Sequence, residues 1–308
     1  MIVVLTGGTG GAKLVEGLAA VIDSADLTIV CNTGDDCIFH GLHISPDIDT
    51  IVYTLAGVND ADKGWGMRGD TFTTLEQLRR LGNDAWFNLG DKDLATHITR
   101  TRLLSEGQTL SEITATICRA LGVRSTILPM SDERVETFVK TPVGEISFQE
   151  FFVKERWTPE VLGVRFAGVE NNRPAQGVIG AIRAADAIIV CPSNPVTSIG
   201  PILAVPGIRD ALKKADAPVL GVSPLIGNSA ISGPAHKLMI ASGWEASAIG
   251  VAQYYKDILD ILVIDRTDRH LASQIEQLGI DAPCTNIRMN SPADKARLAH
   301  EVLALRQK

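Results

Sequence analysis

Residues 5–14 read LTGGTGGAKL and directly follow a short apolar run at residues 2–4. A strand that ends in four glycines within five residues lets backbone N–H groups approach an anion without interference from Cβ atoms. The pattern predicts a strand, a glycine turn and a helix that begins near Gly11, with a phosphate held at the turn. A tight strand-to-helix turn without a ligand is the alternative, although such a turn needs fewer glycines.

The glycine stretch matches neither of the two common phosphate-loop motifs. A dinucleotide fingerprint counted from Gly8 needs a glycine at the position of Lys13. A Walker A loop counted from Gly7 needs a glycine at Ala12 and a Ser or Thr at Leu14. Lys13 in the first helical turn therefore remains as a cation for the phosphate or, alternatively, as a solvated helix residue.

Composition and charge favour a large soluble α/β protein. The chain has 308 residues, a formal net charge of −7 and 45% hydrophobic residues, with no apolar stretch of membrane-spanning length and no basic N-terminal region. We expect neither a signal peptide nor an anchor, and a cytoplasmic location. The acidic balance argues against a general nucleic-acid surface, because such a surface needs clustered basic residues.

The five cysteines are odd in number and form no CxxC pair, which is typical of reduced, mostly buried thiols. Cys31, Cys37, His40 and His43 are close in sequence and raise the question of a zinc site. Their spacing matches no zinc finger or ribbon, so the thiol interpretation is preferred.

Apolar, β-branched runs alternate with amphipathic segments along most of the chain. Strands are predicted at residues 2–5, 27–31, 85–89, 125–128, 187–191, 218–222 and 261–264. Helices are predicted at about 12–22, 48–56, 71–81, 93–104, 110–121, 176–184, 207–214, 234–242 and 291–306. This order predicts an α/β fold with a doubly wound, mainly parallel, Rossmann-like sheet. A small antiparallel and helical insertion is expected at about 131–160, within a single domain that covers residues 1–308.

Polar and glycine-rich residues follow several predicted strands, where a doubly wound sheet binds its ligands. We assign these strand ends to one shared nucleotide site, with separate turns and helix caps as the alternative. The residues assigned to the nucleotide are Gly8, Thr9, Gly10, Gly11, Lys13, Asn32, Ser193, Asn194, Pro195, Ser198, Ser223, Gly233 and Pro234.

Carboxylates cluster after the second strand and in SPDIDT at residues 45–50. Hard oxygen ligands suit Mg²⁺, which would neutralise charge during phosphoryl transfer, so Asp35, Asp36 and Asp49 are the predicted metal ligands. Helix N-capping is the alternative for Asp47 and, to a lesser extent, for Asp49. Trp65 lies between glycines in a loop and is either a platform for a flat ring or a hydrophobic plug.

Further positive charge for a phosphate would come from Lys92 and Arg134, which lie near predicted loop ends. No Ser, Cys or His nucleophile signature is present, and His236 receives no acid–base role. Positioning and charge neutralisation are therefore the expected mechanism.

Taken together, the sequence resembles the 2-phospho-L-lactate transferase family, which acts in the biosynthesis of the deazaflavin coenzyme F420. The resemblance runs from residue 3 to about 262, with the matching pieces in the family's order. The pieces include TGGTGGAKL, NTGDD, HGLHISPDIDTIVYTLAG, GWGMRGDTF, WFNLGDKDLATHITRT, PSNPVTSIGPIL and SPLIGNSAISGPAHKLM. One departure is Asn228, where the family usually has a second glycine.

The resemblance implies transfer of a phosphorylated hydroxy acid from its GDP diester to the ribityl hydroxyl of the deazaflavin FO, with GMP released. The acid would be 2-phospho-L-lactate, phosphoenolpyruvate or 3-phosphoglycerate. FO contacts carry over to Asp49 and Lys92, which we take as the catalytic residues, with Trp65 added as a ring contact. Mg²⁺ and a homodimer are also implied. A non-catalytic nucleotide or nucleotide-sugar binding regulator, similar to the gluconeogenesis-factor proteins, is the rival interpretation.

Overall fold

The computed structural model describes residues 1–227, 229–230 and 233–307. Asn228 and Ser232, two residues of predicted loops, lie outside this part of the chain. The described strands are β1 (Ile2–Thr6), β2 (Leu27–Cys31), β3 (Cys37–Phe39), β4 (Leu42–Ile44), β5 (Thr126–Pro129), β6 (Glu136–Thr141), β7 (Gly144–Ser147), β8 (Gly163–Ala167), β9 (Ala187–Val190), β10 (Val219–Val222), β11 (Leu225–Ile226), β12 (Ser229–Ala230), β13 (Ile261–Asp265) and β14 (Cys284–Thr285). The described helices are α1 (Gly8–Val21), α2 (Pro46–Leu55), α3 (Thr73–Arg80), α4 (Asp91–Ser105), α5 (Leu110–Ala120), α6 (Val178–Ala184), α7 (Gly200–Ala204), α8 (Ile208–Lys213), α9 (Ala235–Ala241), α10 (Ala248–Tyr254), α11 (Ala272–Glu276) and α12 (Pro292–Ala304).

A seven-stranded parallel sheet in the order β14-β13-β10-β9-β1-β2-β5 forms the centre of the molecule. All residues of β1, β2, β9, β10 and β13 are buried, as expected for strands covered by helices on both faces. The predicted α/β, doubly wound, Rossmann-like fold is confirmed.

Alternate residues of β1 enter two separate hydrophobic cores. Val3 and Leu5 pack with residues of α6 to α10, whereas Ile2 and Val4 pack with residues of α1, α2, α5 and α12. This division follows from the two-residue period of a strand, which points successive side chains to opposite faces.

Helices α1 and α12 approach each other closely at Gly17. A Cβ atom at this position would collide with the backbone carbonyl of Lys295. The neighbouring residues of both helices, such as Leu18 and Leu298, are fully buried. Gly17 therefore sets the distance between the two helices on one face of the sheet.

We expect Gly17→Ala to lower the free energy of unfolding by about 1–3 kcal/mol, because a backbone collision forces the two helices apart. Gly180→Ala is the matched control. A Cβ at Gly180, in α6, meets nothing within 4 Å, so this change is expected to stabilise the protein by about 0.5–1 kcal/mol. Urea denaturation of both variants measures the difference, and equal effects at the two sites would contradict the packing argument.

The predicted strand at residues 85–89 is wrong, because this segment is an irregular connection between α3 and α4. Trp86 and Phe87 pack against Phe39, and their ring centroids lie 5.4 and 5.8 Å, respectively, from the ring centroid of Phe39. The carbonyl of Ala85 accepts a hydrogen bond from Arg79 instead of from a neighbouring strand. The apolar side chains of residues 85–89 therefore pack next to the β3–β4 hairpin.

The predicted insertion contains an antiparallel sheet in the order β7-β6-β8. Val139 is paired with Ile146 in the first pair of strands and with Val164 in the second. β8 extends the sheet to Ala167, beyond the expected end of the insertion near residue 160. A short π-helical turn at Glu150–Lys154 follows β7, where the sequence suggested a helix. The treatment of the chain as one domain stays a prediction.

The order of the main sheet reverses between β1 and β9. From β1 the strands continue outward through β2 and β5, and from β9 they continue in the other direction through β10, β13 and β14. A sheet of this kind opens a crevice beyond the carboxyl ends of the two central strands. The glycine stretch follows β1, and residues 192–198 follow β9, so both segments lie at this crevice. None of the described helices is both long and apolar enough to cross a membrane.

Candidate active site

A cavity of about 480 Å³ occupies this crevice. It is bounded by the glycine stretch, α2, the first half of α4, the residues after β9 and the segment that follows β7. Eleven of the residues that the sequence assigned to a site line it. They are Gly8, Thr9, Gly10, Asp35, Asp49, Trp65, Ser193, Asn194, Ser198, Gly233 and Pro234.

Packing leaves no room for a side chain at Gly7, in the glycine stretch. A Cβ at Gly7 would lie 2.5 Å from Oδ2 of Asp47 and 2.9 Å from Cβ of Ser198. The backbone N–H of Gly7 donates to Oγ of Ser193 at 3.3 Å, which ties the end of β1 to the turn after β9. Gly8 has a φ of 68°, a left-handed conformation that favours glycine.

Helix α1 begins at Gly8, three residues earlier than predicted. The first N–H groups of α1, at Gly8, Thr9 and Gly10, are therefore at the cavity wall, where a helix N-terminus favours an anion. Gly11 lies behind the wall, because a Cβ there would collide with Oγ1 of Thr6 and approach Oγ of Ser193. Gly11 thus serves the packing of α1 against β1.

The three predicted cations lie outside the residues that line the cavity. Lys13 is exposed on α1. Lys92 is exposed on α4, where its Nζ donates to the carbonyl of Arg68 at 2.9 Å. Arg134 is also outside the cavity and forms an ion pair with Glu136. The proposed roles of Lys13 and Lys92 stay predictions that the shape of the cavity does not support.

Asn32 lies beneath the cavity and is fully buried. Its Nδ2 donates to Oδ2 of Asp47 at 2.9 Å and to the carbonyl of Thr197 at 3.3 Å, and its Oδ1 accepts from the N–H of Gly34 at 2.8 Å. Asn32 therefore orients Asp47 and joins three segments. Ser223 and Pro195 are likewise buried behind the wall. The hydroxyl of Ser223 bonds the backbone of Leu225, and its N–H donates to the carbonyl of Val263 at 2.9 Å.

The three predicted metal ligands have different surroundings. Asp35 lines the cavity, and its buried Oδ1 has no hydrogen-bond partner in the described chain. Asp36 lies outside the lining, and its Oδ2 accepts from Oγ of Ser45 at 2.7 Å and lies 3.0 Å from Nε2 of His43. Asp49 lines the cavity but is bound by the guanidinium of Arg100.

Asp47, for which helix N-capping was the alternative interpretation, is the carboxylate whose charge acts most strongly on Asp35. The helix cap of α2 is Ser45, and Asp47 lines the cavity instead. Burial raises the pKa of Asp47 to about 6, opposed by hydrogen bonds from Asn32 and from the backbone of Gly8. Burial and then the charge of Asp47 raise the pKa of Asp35 well above its usual range. Two adjacent buried carboxylates favour either a proton or a cation between them.

A second carboxylate cluster joins α2 to α4. Nη1 of Arg100 donates to Oδ2 of Asp49 at 3.1 Å, and Nη2 is paired with Oδ1. The ring of His97 lies between two carboxylates, with Nδ1 3.7 Å from Asp49 and Nε2 3.2 Å from Asp93. Oδ1 of Asp93 accepts from the hydroxyl of Tyr53 at 2.6 Å. Burial raises the pKa of Asp49, while the charges of Arg100 and His97 oppose this shift.

Sequence reasoning did not identify this cluster, although its spacing was visible. Asp93, His97 and Arg100 are separated by four and three residues, which places them on one face of α4. Asp49 and Tyr53 are four residues apart on α2. Neither spacing alone shows that the two helical faces meet, because that depends on the packing of α2 and α4.

Aromatic rings form another part of the wall. The ring centroids of Phe148 and Phe152 are 5.5 Å apart at 17°, and those of Phe152 and Trp157 are 5.2 Å apart at 27°. All three line the cavity, as does Trp65, whose exposed fraction is 37%. The sequence pointed to Trp65 because it lies between glycines in a loop, and it gave no such signal for the three rings of the insertion.

Comparisons with known proteins agree on one family. The family model for 2-phospho-L-lactate transferase CofD matches residues 2–297. A 2-phospho-L-lactate transferase from Methanothermobacter thermautotrophicus is 45% identical over 303 residues, which cover 98% of this chain and 97% of that protein. A phosphoenolpyruvate transferase from Streptomyces griseus is 43% identical over 310 residues, which cover 99% of this chain and 98% of that protein.

Among solved structures, a member of the upf0052 family from Bacillus halodurans superposes with a TM-score of 0.66 at 17% identity and covers 98% of both chains. At this identity the likeness shows the fold alone. The sequence matches are much stronger and cover almost the whole chain, so the chain belongs to the 2-phospho-L-lactate transferase family.

Proposed function

We propose that this transferase moves a phosphorylated hydroxy acid from its GDP diester to the ribityl hydroxyl of FO. The hydroxyl oxygen forms a bond to the phosphorus next to the hydroxy acid. The phosphorus–oxygen bond towards GMP breaks, and its electron pair leaves on GMP. The proton of the hydroxyl passes to the carboxylate of Asp49.

The observation that carries this proposal is the meeting of two unlike walls in one cavity. The N-terminus of α1 and the turn after β9 supply N–H groups and hydroxyls suited to a diphosphate. The other wall contains the buried carboxylates of α2 and α4, which can accept the proton of the attacking hydroxyl. A phosphoryl group placed between these walls would have the departing GMP on one side and the attacking hydroxyl on the other.

Asp49 is suited to orient the attacking hydroxyl. Arg100 fixes both carboxylate oxygens by charge-assisted hydrogen bonds, and each oxygen keeps a lone pair for a further donor. A carboxylate held in this way loses little freedom when the acceptor binds, which favours a reactive geometry. Asp93, which accepts a hydrogen bond from Tyr53, lies 3.2 Å from Nε2 of His97, and the other ring nitrogen of His97 lies 3.7 Å from Asp49.

The buried residues at the glycine stretch fit a divalent cation. Oδ1 of Asp35 has no partner in the described chain, Asp47 lies nearby, and both offer the hard oxygens that Mg²⁺ prefers. We propose Asp35 and Asp47 as its ligands, in place of the predicted set that included Asp36 and Asp49. Bound there, Mg²⁺ would neutralise phosphate charge that these carboxylates otherwise repel.

The donor acid is proposed as 2-phospho-L-lactate or phosphoenolpyruvate, the two groups that occur in the names of the relatives. 3-Phosphoglycerate is the third acid to test. FO as acceptor, GMP as product and a homodimeric assembly belong to the same proposal and rest on family membership.

Mass spectrometry of reactions with FO, Mg²⁺ and each of the three GDP-activated acids tests the proposed function. A deazaflavin phosphodiester together with GMP in one reaction would identify both the activity and the donor. If no reaction yields product and FO does not change its visible spectrum on mixing, the nucleotide-binding regulator becomes the better interpretation.

Removal of the metal is expected to abolish turnover. We expect EDTA to reduce product formation to background. We expect Asp47→Asn to lower turnover by about 100-fold, because weaker binding of Mg²⁺ leaves the charge of the phosphate without a cation, which costs several kcal/mol. Asp210→Asn, an exposed aspartate on α8, is the control for loss of one carboxylate. Full activity in EDTA, or Mg²⁺-dependent GDP binding that Asp47→Asn leaves unchanged, would contradict the metal proposal.

A further inference from the structure

The cavity wall is strongly acidic. Asp35, Asp47, Asp49 and Asp93 all line it, and a GDP-activated acid brings further negative charges from its diphosphate and its carboxylate. Arg156 is the one Lys or Arg among the described residues that line the cavity. Any contact between a Lys or Arg of the described wall and such a donor therefore comes from this side chain.

The guanidinium of Arg156 is available for a ligand. Arg156 is exposed, and it takes part in no hydrogen bond or ion pair with the residues that the structure describes. Arg100, the other arginine near the site, is fully buried and occupied by Asp49. A planar guanidinium is well suited to bind two oxygens of a phosphate or a carboxylate at once.

The backbone presents Arg156 to the cavity in an unusual conformation. Arg156 and Trp157 have φ values of 49° and 46°, in the left-handed region that residues other than glycine rarely adopt. The N–H of Trp157 donates to the carbonyl of Phe151 at 2.9 Å, which closes the turn. Such conformations persist only where the surrounding contacts determine them.

The turn is also fixed from outside. Nζ of Lys237, on α9, donates to the carbonyls of Trp157 and Thr158, each at 3.0 Å, and to that of Pro159. Trp157 stacks on Phe152, and a Cβ at Gly233 would lie 3.5 Å from the ring of Phe152. The turn that carries Arg156 is thus anchored on α9, and Phe152 links it to Gly233, in the part of the wall assigned to the nucleotide.

We infer that Arg156 binds an oxyanion of the donor, either a phosphate of the GDP moiety or the carboxylate of the transferred acid. This inference rests on the proposed function and adds a specificity residue that the sequence did not indicate. The strained turn and its anchor on α9 hold the guanidinium at the cavity mouth before the donor arrives.

Arg156→Asn tests the inference without endangering the fold, since asparagine tolerates the left-handed conformation better than arginine. We expect its thermal unfolding midpoint without ligand to equal or exceed that of the unmodified protein. The dissociation constant of the donor is expected to rise about 10- to 100-fold, the range for loss of a hydrogen bond to a charged group. Arg173→Gln, an exposed arginine outside the cavity, controls for loss of one positive charge.

Calorimetric titration with GDP and with the GDP-activated acid, both with Mg²⁺, separates the two oxyanions. Weaker binding of both probes by Arg156→Asn assigns Arg156 to a phosphate, and weaker binding of the activated acid alone assigns it to the carboxylate. Unchanged affinities for both probes, with the unmodified protein binding normally, would overturn the inference only. If the unmodified protein binds neither probe, the proposed function fails and the inference fails with it.

Discussion

Asp49→Asn is expected to lower the rate of phosphodiester formation by about two to four orders of magnitude, the usual contribution of a positioned general base. Asparagine keeps the size and one acceptor oxygen of the side chain, but it cannot take a proton from the acceptor hydroxyl. Asp49 lies at the cavity wall with an exposed fraction of only 5%, so bulk water does not readily replace it. Single-turnover measurements with saturating donor and FO report this step directly.

The substitution also leaves the buried guanidinium of Arg100 without its carboxylate, so lost folding must be separated from lost chemistry. Rates should be measured below the unfolding midpoint of the variant, with circular dichroism as the check on folding. Asp210→Asn serves again as the control for a carboxylate far from the cavity. A folded Asp49→Asn protein that turns over at the unmodified rate would remove Asp49 from the reaction.

The fold and the position of the cavity could be predicted because both depend on local patterns. The apolar strands, the glycine stretch after β1 and the polar residues after β9 indicate a crevice at the switch point of the sheet, where the cavity lies. The segment at 85–89 has the same apolar composition as a strand, but composition does not show which backbone it will pair with. The segment contacts the ring of Phe39, in a hairpin distant in sequence, and it pairs with no described strand.

Individual site residues were harder to predict, because one residue along a helix turns the side chain by about 100°. Lys92 and Asp93 are neighbours on α4, yet only Asp93 faces the cavity, while Lys92 bonds the carbonyl of Arg68. The same reasoning applies to Lys13, since α1 begins three residues earlier than expected. Which face of a helix lies against the cavity depends on how the helix packs against its neighbours, and the sequence of that helix alone does not determine this.

The pairing of α2 with α4 is the clearest example, and it leads to the largest expected effect on stability. Arg100 is fully buried, and its guanidinium is the one Lys or Arg group that the described contacts place against Asp49. We expect Arg100→Met to lower the free energy of unfolding by about 3–5 kcal/mol, because a buried carboxylate then lacks its partner. Arg102→Met, two residues along the same helix in an exposed pair with Glu106, is expected to change it by less than about 1 kcal/mol.

The double variant Asp49→Asn with Arg100→Met distinguishes the buried charge from other causes of instability. Removing both charges leaves no unpaired ion, so urea denaturation should show a loss clearly smaller than the sum of the two single losses, with a coupling of about 1–3 kcal/mol. Catalysis should not recover in parallel, because the acceptor for the hydroxyl proton is still absent. Additive losses of stability would mean that Arg100 acts mainly through its packing between α2 and α4, and recovery of turnover would contradict the role of Asp49.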